Sequence, residues 1–293
     1  MSFTRSASGV ANYKLFFSAD FVVFIEGKKE HDPSDQGLLA DEVFYLALFN
    51  KIFPNQKVKI KCVGNCDDVV AHVRALDSAG IQGGFGIIDR DAEGILYSAL
   101  SFNKRTMITS GYSWENDFWS KNTITMTVDR LVLAKEGALD SLRPAFSRGM
   151  SRLAFLCRLD FSTRIHGAAL IKKNKKSCGI NISGASNWGI SHAEIRRFVS
   201  RYKSMDSCTC DISKSILQST INTPQDRLVQ GHLKQSLACN VIAAIYQSIH
   251  KKNSVSHKTI FNAALNLFRE DPRRCMDATT FEYYEINLKA MIT

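Results

Sequence analysis

The sequence predicts an α/β fold, with a mostly parallel sheet flanked by helices and then a mainly α-helical C-terminal region. Two observations support this prediction. Short apolar runs typical of buried strands, at 21–25 and 85–88, alternate with helical patterns over the first 120 residues. From about residue 121 the apolar residues recur at helical spacing, most clearly at 228–249. We therefore predict an α/β catalytic domain at 1–120 and a basic, mainly helical domain at 121–293.

Local patterns define each element of the first region. Leu39, Val43 and Leu46 recur at helical spacing, whereas 57–63 alternates charged and apolar residues, as does a strand with one solvated face. Glycines at the end of the next helical pattern lead into the third strand. The predicted order is a strand at 21–26, a helix from 34 or 35 to about 50, a strand at 57–63, a helix at 66–79, a strand leading into Asp89, a short helix near 95–100, a strand at 105–109 and a helical turn beginning at Trp114.

Acidic residues directly follow two of the predicted strands. Glu26 follows the first strand, and Asp89 and Asp91 follow the run at 85–88. Open α/β sheets bind ligands at the carboxyl ends of their strands, and neighbouring strands would bring these carboxylates together. Three close carboxylates repel one another unless a hard cation such as Mg²⁺ or Mn²⁺ neutralises them. The pattern therefore predicts a metal-dependent phosphoryl-transfer site; the alternative is that each acid caps a helix or forms a turn.

Three motifs resemble those of a known superfamily. They are Ile-Glu-Gly-Lys at 25–28, Ile-Asp-Arg-Asp at 88–91 and Ser-x-Glu-Asn at 113–116. Their order along alternating strands and helices resembles the Toprim fold, which primases, topoisomerases and OLD-type nucleases share. Within that superfamily, residues 20–120 resemble the shorter Toprim-like nucleases of bacterial anti-phage systems. The resemblance implies a Toprim-like sheet and a nuclease active site.

The resemblance also implies roles for individual residues. Glu26, Asp89 and Asp91 would hold one or two Mg²⁺ or Mn²⁺ ions, one activating the attacking water and the other stabilising the leaving oxygen. Alternatively, Glu26 acts mainly as the general base. Lys28, in the first motif, could neutralise charge that develops on the phosphate. Glu115 could approach the metals directly or through water, or could simply lie in the first turn of a helix that begins after Ser113.

The nucleases that the sequence resembles imply a biological setting. Such proteins are toxic effectors of abortive infection, restrained by a companion ABC-type ATPase and released when a phage protein is sensed. The freed enzyme would act as a homodimer on host RNA, with tRNA as the expected class. The sequence contains no Gly-x-x-x-x-Gly-Lys-Ser/Thr motif, which agrees with a separate ATPase.

Other functions remain open at the level of sequence. The chain could be a DNA nuclease of the OLD type, or a non-catalytic adaptor that retains the Toprim scaffold. An adaptor has no need for three mutually repelling acids. A topoisomerase would need a tyrosine-nucleophile domain and a primase usually has a zinc module, and neither is evident in the sequence.

Charge is divided unevenly along the chain. Residues 1–120 contain 12 Lys and Arg against 15 Asp and Glu, whereas residues 121–293 contain 26 against 13. The basic surplus of the second region favours contacts with the phosphates of a nucleic acid.

A basic tract and a nearby aromatic residue are the candidate nucleic-acid contacts. The tract would bind phosphates, and the tryptophan could stack on an unpaired base. The alternative is a solvated surface loop. The residues concerned are Lys172, Lys173, Lys175, Lys176 and Trp188.

The sequence also predicts a cytoplasmic location. No apolar stretch approaches the length that spans a bilayer, and the N-terminus lacks the apolar core of a signal peptide. The eight cysteines are then expected to be reduced thiols. A zinc site at the pairs 62/66 and 208/210 would lack the usual CxxC spacing, so buried or loop thiols are the preferred interpretation.

Overall fold

The structure, a computed structural model, describes residues 18–27, 39–97, 103–132, 138–171, 180–183, 189–205, 210–251 and 253–292. These residues form two compact units. The first, the sheet unit, contains 18–27, 39–89, 103–110 and 268–292. The second, the helical unit, contains 90–97, 111–132, 138–171, 180–183, 189–205, 210–251 and 253–267.

The sheet unit is built on four parallel strands. They are β1 (Phe21–Ile25), β2 (Val58–Cys62), β3 (Gly84–Ile88) and β4 (Thr106–Ile108), in the order β2-β1-β3-β4. The chain passes from β1 to β2 on one side and then to β3 on the other side of β1. The predicted parallel sheet is therefore confirmed, and β1 and β3 are neighbours.

Two helices cover opposite faces of this sheet. Helix α1 (Ala40–Ile52) precedes β2, and α2 (Cys66–Ser78) precedes β3. Val22 and Phe24 of β1 belong to an apolar cluster with residues of α2. Phe21 points to the other face because side chains alternate along a strand. There its ring packs 6.2 Å from Phe53, which follows α1.

Glycines in β3 allow α2 to lie close to the sheet. A Cβ atom on Gly86 would lie 2.9 Å from Val69 Cγ1 and 3.0 Å from Val73 Cγ2, both on α2. On Gly84 it would lie 2.0 Å from Leu76 Cδ1. Packing of α2 on β3 therefore depends on the missing side chains at these two positions.

The sheet unit also includes the C-terminal end of the described chain. Phe268 stacks on Phe44 of α1 with ring centroids 4.8 Å apart, and Tyr284 packs edge-on against the same ring at 6.0 Å. The Tyr283 hydroxyl donates to the Ile108 carbonyl of β4 at 2.8 Å. The sheet unit is therefore not continuous in sequence, and its residues 103–110 also separate 90–97 of the helical unit from the remainder of that unit. A single boundary at residue 120 does not separate the two units.

The remaining helices are numbered along the chain. The helical unit contains a short hairpin of β5 (Ile182–Ser183) and β6 (Gly189–Ile190). None of the helices in the described part of the chain is long and apolar enough to cross a membrane. The helices are α3 (Trp114–Phe118), α4 (Lys121–Val132), α5 (Ala138–Arg164), α6 (His192–Lys203), α7 (Asp211–Ser219), α8 (Gln225–Leu228), α9 (Gly231–His250), α10 (His257–Glu270), α11 (Pro272–Cys275) and α12 (Ala278–Ile292), the last two and the end of α10 lying in the sheet unit.

Helix α9 forms the centre of the helical unit. It contacts α3, α4, α5 and the β5–β6 hairpin. Its Leu237 is fully buried and fits against Gly149 and Gly189, where a Cβ atom would come within 2.6 and 2.8 Å of Leu237 Cδ1. The long helix predicted at 228–249 is confirmed, except that it begins at Gly231 because α8 ends at Leu228.

One predicted helix, near 95–100, is wrong in its described part. Residues 95–97 form a turn, and Glu93 makes an isolated bridge with Tyr97. Asp91 and Gly94 both have positive φ angles, +50° and +73°, which a right-handed helix does not allow.

We predict that Gly86→Ala destabilises the sheet unit by about 1–3 kcal/mol, because the added methyl group overpacks the interface with α2. Urea unfolding measures the cost. In the double variant Gly86→Ala/Val69→Ala, the nearest clashing group is absent. The double variant should therefore lose less stability than the sum of the losses in the two single variants. Strictly additive costs would show that β3 and α2 are not packed as described.

Candidate functional site

The carboxyl ends of β1 and β3 form the position where this sheet is best suited to bind a ligand. The chain connects β1 to neighbours on opposite sides, and such a reversal opens a crevice beyond the strand ends. Glu26 directly follows β1 and Asp89 directly follows β3. Both residues are half-buried. The structure thus brings two of the predicted site residues to the same edge of the sheet.

A hydrogen bond joins these two residues. The Asp89 backbone N–H donates to Glu26 Oε1 at 2.8 Å, although the residues lie 63 positions apart in sequence. The bond fixes the position of the Glu26 carboxylate relative to the end of β3. Because the backbone supplies this donor, the Asp89 side chain does not take part in the bond.

Gly27 brings two further side chains close to this edge. Its N–H donates to the Gly64 carbonyl at 2.9 Å, and a Cβ atom on Gly27 would lie 2.8 Å from Asp41 Oδ2 and 2.9 Å from Cys62 Sγ. Only a residue without a side chain fits between them. Glycine therefore has a packing role at the second position of the Glu-Gly pair.

The Asp41 carboxyl group was not predicted as part of the site. It lies in the first turn of α1, where the helix dipole favours an acid, and Asp41 Oδ1 accepts the Glu42 N–H at 3.0 Å. Burial raises the pKa of Asp41 above its usual value. Burial and the charge of Asp41 both raise the pKa of the Cys62 thiol, so Cys62 stays protonated at neutral pH.

Asp91 belongs to the helical unit and lies in a defined turn. Its φ angle is +50°, a left-handed conformation that aspartate adopts more readily than most residues. Its N–H donates to the Tyr112 carbonyl at 2.8 Å, and its side chain is exposed. Next to it, Arg90 and Glu93 form an ion pair at 2.9 Å. The turn is thus held by backbone and side-chain bonds that leave the Asp91 side chain exposed.

Tyr112 links the Asp91 turn to α8. Its N–H donates to the Asp226 carbonyl at 2.7 Å, and its ring stacks on Phe161 at 6.4 Å. Burial raises the pKa of the Tyr112 hydroxyl well above its usual value, and the negative charge of Asp91 adds to the rise. The hydroxyl therefore stays protonated at neutral pH.

The Ser-x-Glu-Asn motif forms a buried turn. The Ser113 hydroxyl donates to Glu115 Oε2 at 2.6 Å, and the Ser113 N–H donates to Asn116 Oδ1 at 3.2 Å. Asn116 Nδ2 donates in turn to the Val229 carbonyl at 2.9 Å. These bonds give the motif a structural function in holding α3 to the connection between α8 and α9.

Glu115 lies against the N-terminus of α9. A Cβ atom on Gly231, the first residue of α9, would lie 2.7 Å from Glu115 Oε2. The positive end of a helix favours a carboxylate at this position. Glu115 lies in the first turn of α3, as the alternative to a metal role predicts, and the Ser113 hydroxyl and the end of α9 account for its position.

Lys234 is the buried cation that the sequence analysis missed. It is 3% exposed, and its Nζ donates to the Asn116 carbonyl at 2.7 Å and to Asp226 Oδ1 at 2.6 Å. The only signal in the sequence is a lysine among the apolar residues of a predicted helix. Lys234 therefore connects the Ser-x-Glu-Asn turn to α8, where the Asp226 carbonyl also accepts the Tyr112 N–H.

Several predicted site residues lie outside the described part of the chain. Within the described part, no group of three or more His, Cys, Asp or Glu side chains is arranged to hold a metal ion. The predicted residues that are not described are Lys28, Lys172, Lys173, Lys175, Lys176 and Trp188.

Comparison with known proteins adds no family assignment. A scan against protein-family models and a search of curated proteins found no match for this chain.

Proposed function

We propose that this chain is a Mg²⁺- or Mn²⁺-dependent nuclease of the Toprim type that hydrolyses phosphodiester bonds in RNA. The observation that carries the proposal is the pairing of Glu26 with the end of β3 through the Asp89 N–H, 2.8 Å from Glu26 Oε1. The bond lies where a parallel sheet of this order binds its ligands. The three sequence motifs support the same proposal.

The donor atoms at this edge fit a hard divalent cation. Glu26 and Asp89 offer carboxylate oxygens, the ligands that Mg²⁺ prefers, and Mg²⁺ is commonly held by one or two carboxylates together with waters and substrate phosphates. Two protein carboxylates therefore suffice for the proposed site, and Asp91, two residues after Asp89, is the proposed third. A bound ion of this kind lowers the pKa of its water and stabilises charge on phosphate oxygens.

The residues of the chain have distinct proposed functions. Glu26 Oε1 stays bound to the Asp89 N–H, so Glu26 offers its second oxygen to the ion or accepts a proton from the attacking water. Asp89 contributes its carboxylate to the ion. Lys28, next to the Glu-Gly pair, is proposed to neutralise charge on the scissile phosphate. Glu115 is assigned a structural function, because Ser113 and α9 hold it.

The motifs resemble those of AriB, the effector nuclease of the PARIS anti-phage system, and we extend the proposal accordingly. The chain would be the toxic effector of an abortive infection system, restrained by a companion ABC-type ATPase. Once released, it would act as a homodimer on host RNA, with tRNA as the substrate class. A metal-dependent nuclease that cuts host RNA requires a partner that restrains it.

A single experiment separates the proposed function from its alternatives. Purified protein is incubated with total RNA and with plasmid DNA, each in Mg²⁺, Mn²⁺ or EDTA. Cleavage of RNA that depends on the metal supports the proposal. Metal-dependent cleavage of DNA alone favours an OLD-type DNA nuclease, and cleavage of neither substrate favours an adaptor.

We predict that Glu26→Gln lowers cleavage roughly 100-fold or more, the scale expected when one preorganised electrostatic group is lost from an active site. Glutamine keeps an oxygen that accepts the Asp89 N–H, so the melting temperature should remain close to that of the wild type. Glu26→Ala should be equally inactive and also less stable, by about 1 kcal/mol, because the Asp89 N–H loses its acceptor. A Glu26→Gln protein that cleaves at the wild-type rate would remove the central residue of the proposal.

We predict that Asp89→Asn and Asp91→Asn each strongly reduce cleavage and raise the metal concentration required for half-maximal rate. An amide preserves the volume but binds a hard cation weakly. Asparagine also tolerates the positive φ angle at position 91, so that variant tests the charge alone.

Glu115→Gln is the matched control for these two variants. It removes a carboxylate that Ser113 and α9 hold but retains an oxygen for the Ser113 hydroxyl, so cleavage and its dependence on metal concentration should change little. If Glu115→Gln is inactive while both aspartate variants cleave normally, the carboxylates have been assigned wrongly.

A further inference from the structure

A continuous basic strip crosses two packed helices of the helical unit. On α5, Arg148 and Arg152 lie four residues apart and therefore on one face. The Arg152 guanidinium donates to His192 Nε2 at 3.0 Å, at the start of α6. Arg196 lies one turn and Lys203 three turns beyond His192 on the same face of α6. Arg148, Arg196 and Lys203 are exposed, and we call these five residues the α5–α6 strip.

The strip lies in a part of the chain that has almost no acids. Residues 141–205 contain 13 Lys and Arg but only two acids, Asp160 and Glu194. Both acids are buried and bound to backbone: Asp160 Oδ1 accepts the Ile171 N–H and Glu194 Oε1 accepts the Asn181 N–H, each at 2.7 Å. Within its described residues this segment therefore exposes basic but no acidic side chains, which core packing alone does not require.

We propose that the α5–α6 strip binds the phosphate backbone of a nucleic-acid strand. The inference rests on the proposed function for the identity of the substrate, and it assigns the surface that binds the phosphates of this substrate. From His192 to Lys203 the strip follows α6 for about 16 Å, long enough to meet several consecutive phosphates. Guanidinium groups suit this task because their donors match phosphate oxygens in pairs.

The other side of α6 argues against a membrane as the partner. A basic helix that inserts into a lipid surface does so through an exposed apolar face. On α6 the apolar face is covered, because Phe198 is fully buried and the guanidinium groups of Arg197 and Arg201 lie 5.2 and 5.4 Å from its ring centroid. None of the apolar residues of α6 larger than alanine is exposed, so the surface of this helix suits phosphates rather than acyl chains.

The test measures binding without cleavage. The double variant Arg196→Glu/Lys203→Glu is made in the Glu26→Gln protein, and the Kd for a labelled RNA hairpin is measured in EDTA between about 50 and 200 mM KCl. If each reversal removes one phosphate contact, the slope of log affinity against log salt should decrease by roughly 1.4–1.8 for the pair. The neutral pair Arg196→Gln/Lys203→Gln should give the same decrease, which guards against loss of folding in the charge-reversed protein.

The control carries the same change in net charge at other positions. Lys104 and Lys258 are both exposed and lie outside the strip, so Lys104→Glu/Lys258→Glu should leave the salt slope unchanged. An equal decrease in both double variants would overturn the proposal, since net charge alone would then explain it. Binding of phosphatidylserine vesicles that depends on the strip, with RNA binding unaffected, would also overturn it. No step of this test requires cleavage. If the wild-type protein cuts no RNA but the strip variant loses RNA binding, the proposed nuclease function is refuted while the proposed binding by the α5–α6 strip is supported.

Discussion

The hydrogen bond from the Asp89 N–H to the Glu26 carboxylate connects the ends of β1 and β3, and the arrangement of the candidate site depends on it. A hydrogen bond to a charged group contributes about 1.5–3 kcal/mol, enough to hold one side-chain orientation against several alternatives. The bond requires β1 and β3 to be neighbours, which in turn requires the chain to leave β1 towards β2 and return on the opposite side. The position of the Glu26 carboxylate therefore depends on the order of the strands.

The sequence predicts the two inner strands well because β1 and β3 are buried on both faces. Such strands must be apolar throughout, so runs such as FVVFI stand out without any partner information, and the acids after them mark the strand ends. The four strands and α2 accordingly lie within one residue of their predicted positions, whereas α1, predicted from 34 or 35, begins at Ala40.

The parts that the sequence does not predict depend on contacts between distant residues. Nothing near Asp41 in sequence indicates that its carboxylate will lie against Gly27, and a lysine in an apolar helix pattern does not reveal its acceptors. The predicted helix near 95–100 is wrong over its described residues, 95–97, because the chain turns back there with the Gly94 N–H bonded to the Tyr97 carbonyl, and apolar spacing does not indicate that turn. The sequence around Glu115 also leaves two interpretations, because an acid after a strand is compatible with a metal site and with a helix terminus. It does not indicate that the N-terminus of α9 lies beside this residue.

Buried polar groups give the helical unit a single arrangement of its loops. Lys234 donates to the Asn116 carbonyl of one turn and to the Asp226 carboxylate of α8, and removal of one partner would leave a buried charge with a lost hydrogen bond.

The packing of Phe268 and Tyr284 on Phe44 has a different consequence, in the order of events during synthesis. A ribosome that has made the four strands has not yet made the aromatic residues that complete their hydrophobic core. The sheet unit therefore depends on contacts more than 200 positions apart in sequence, and it completes its fold only after the last helices have emerged.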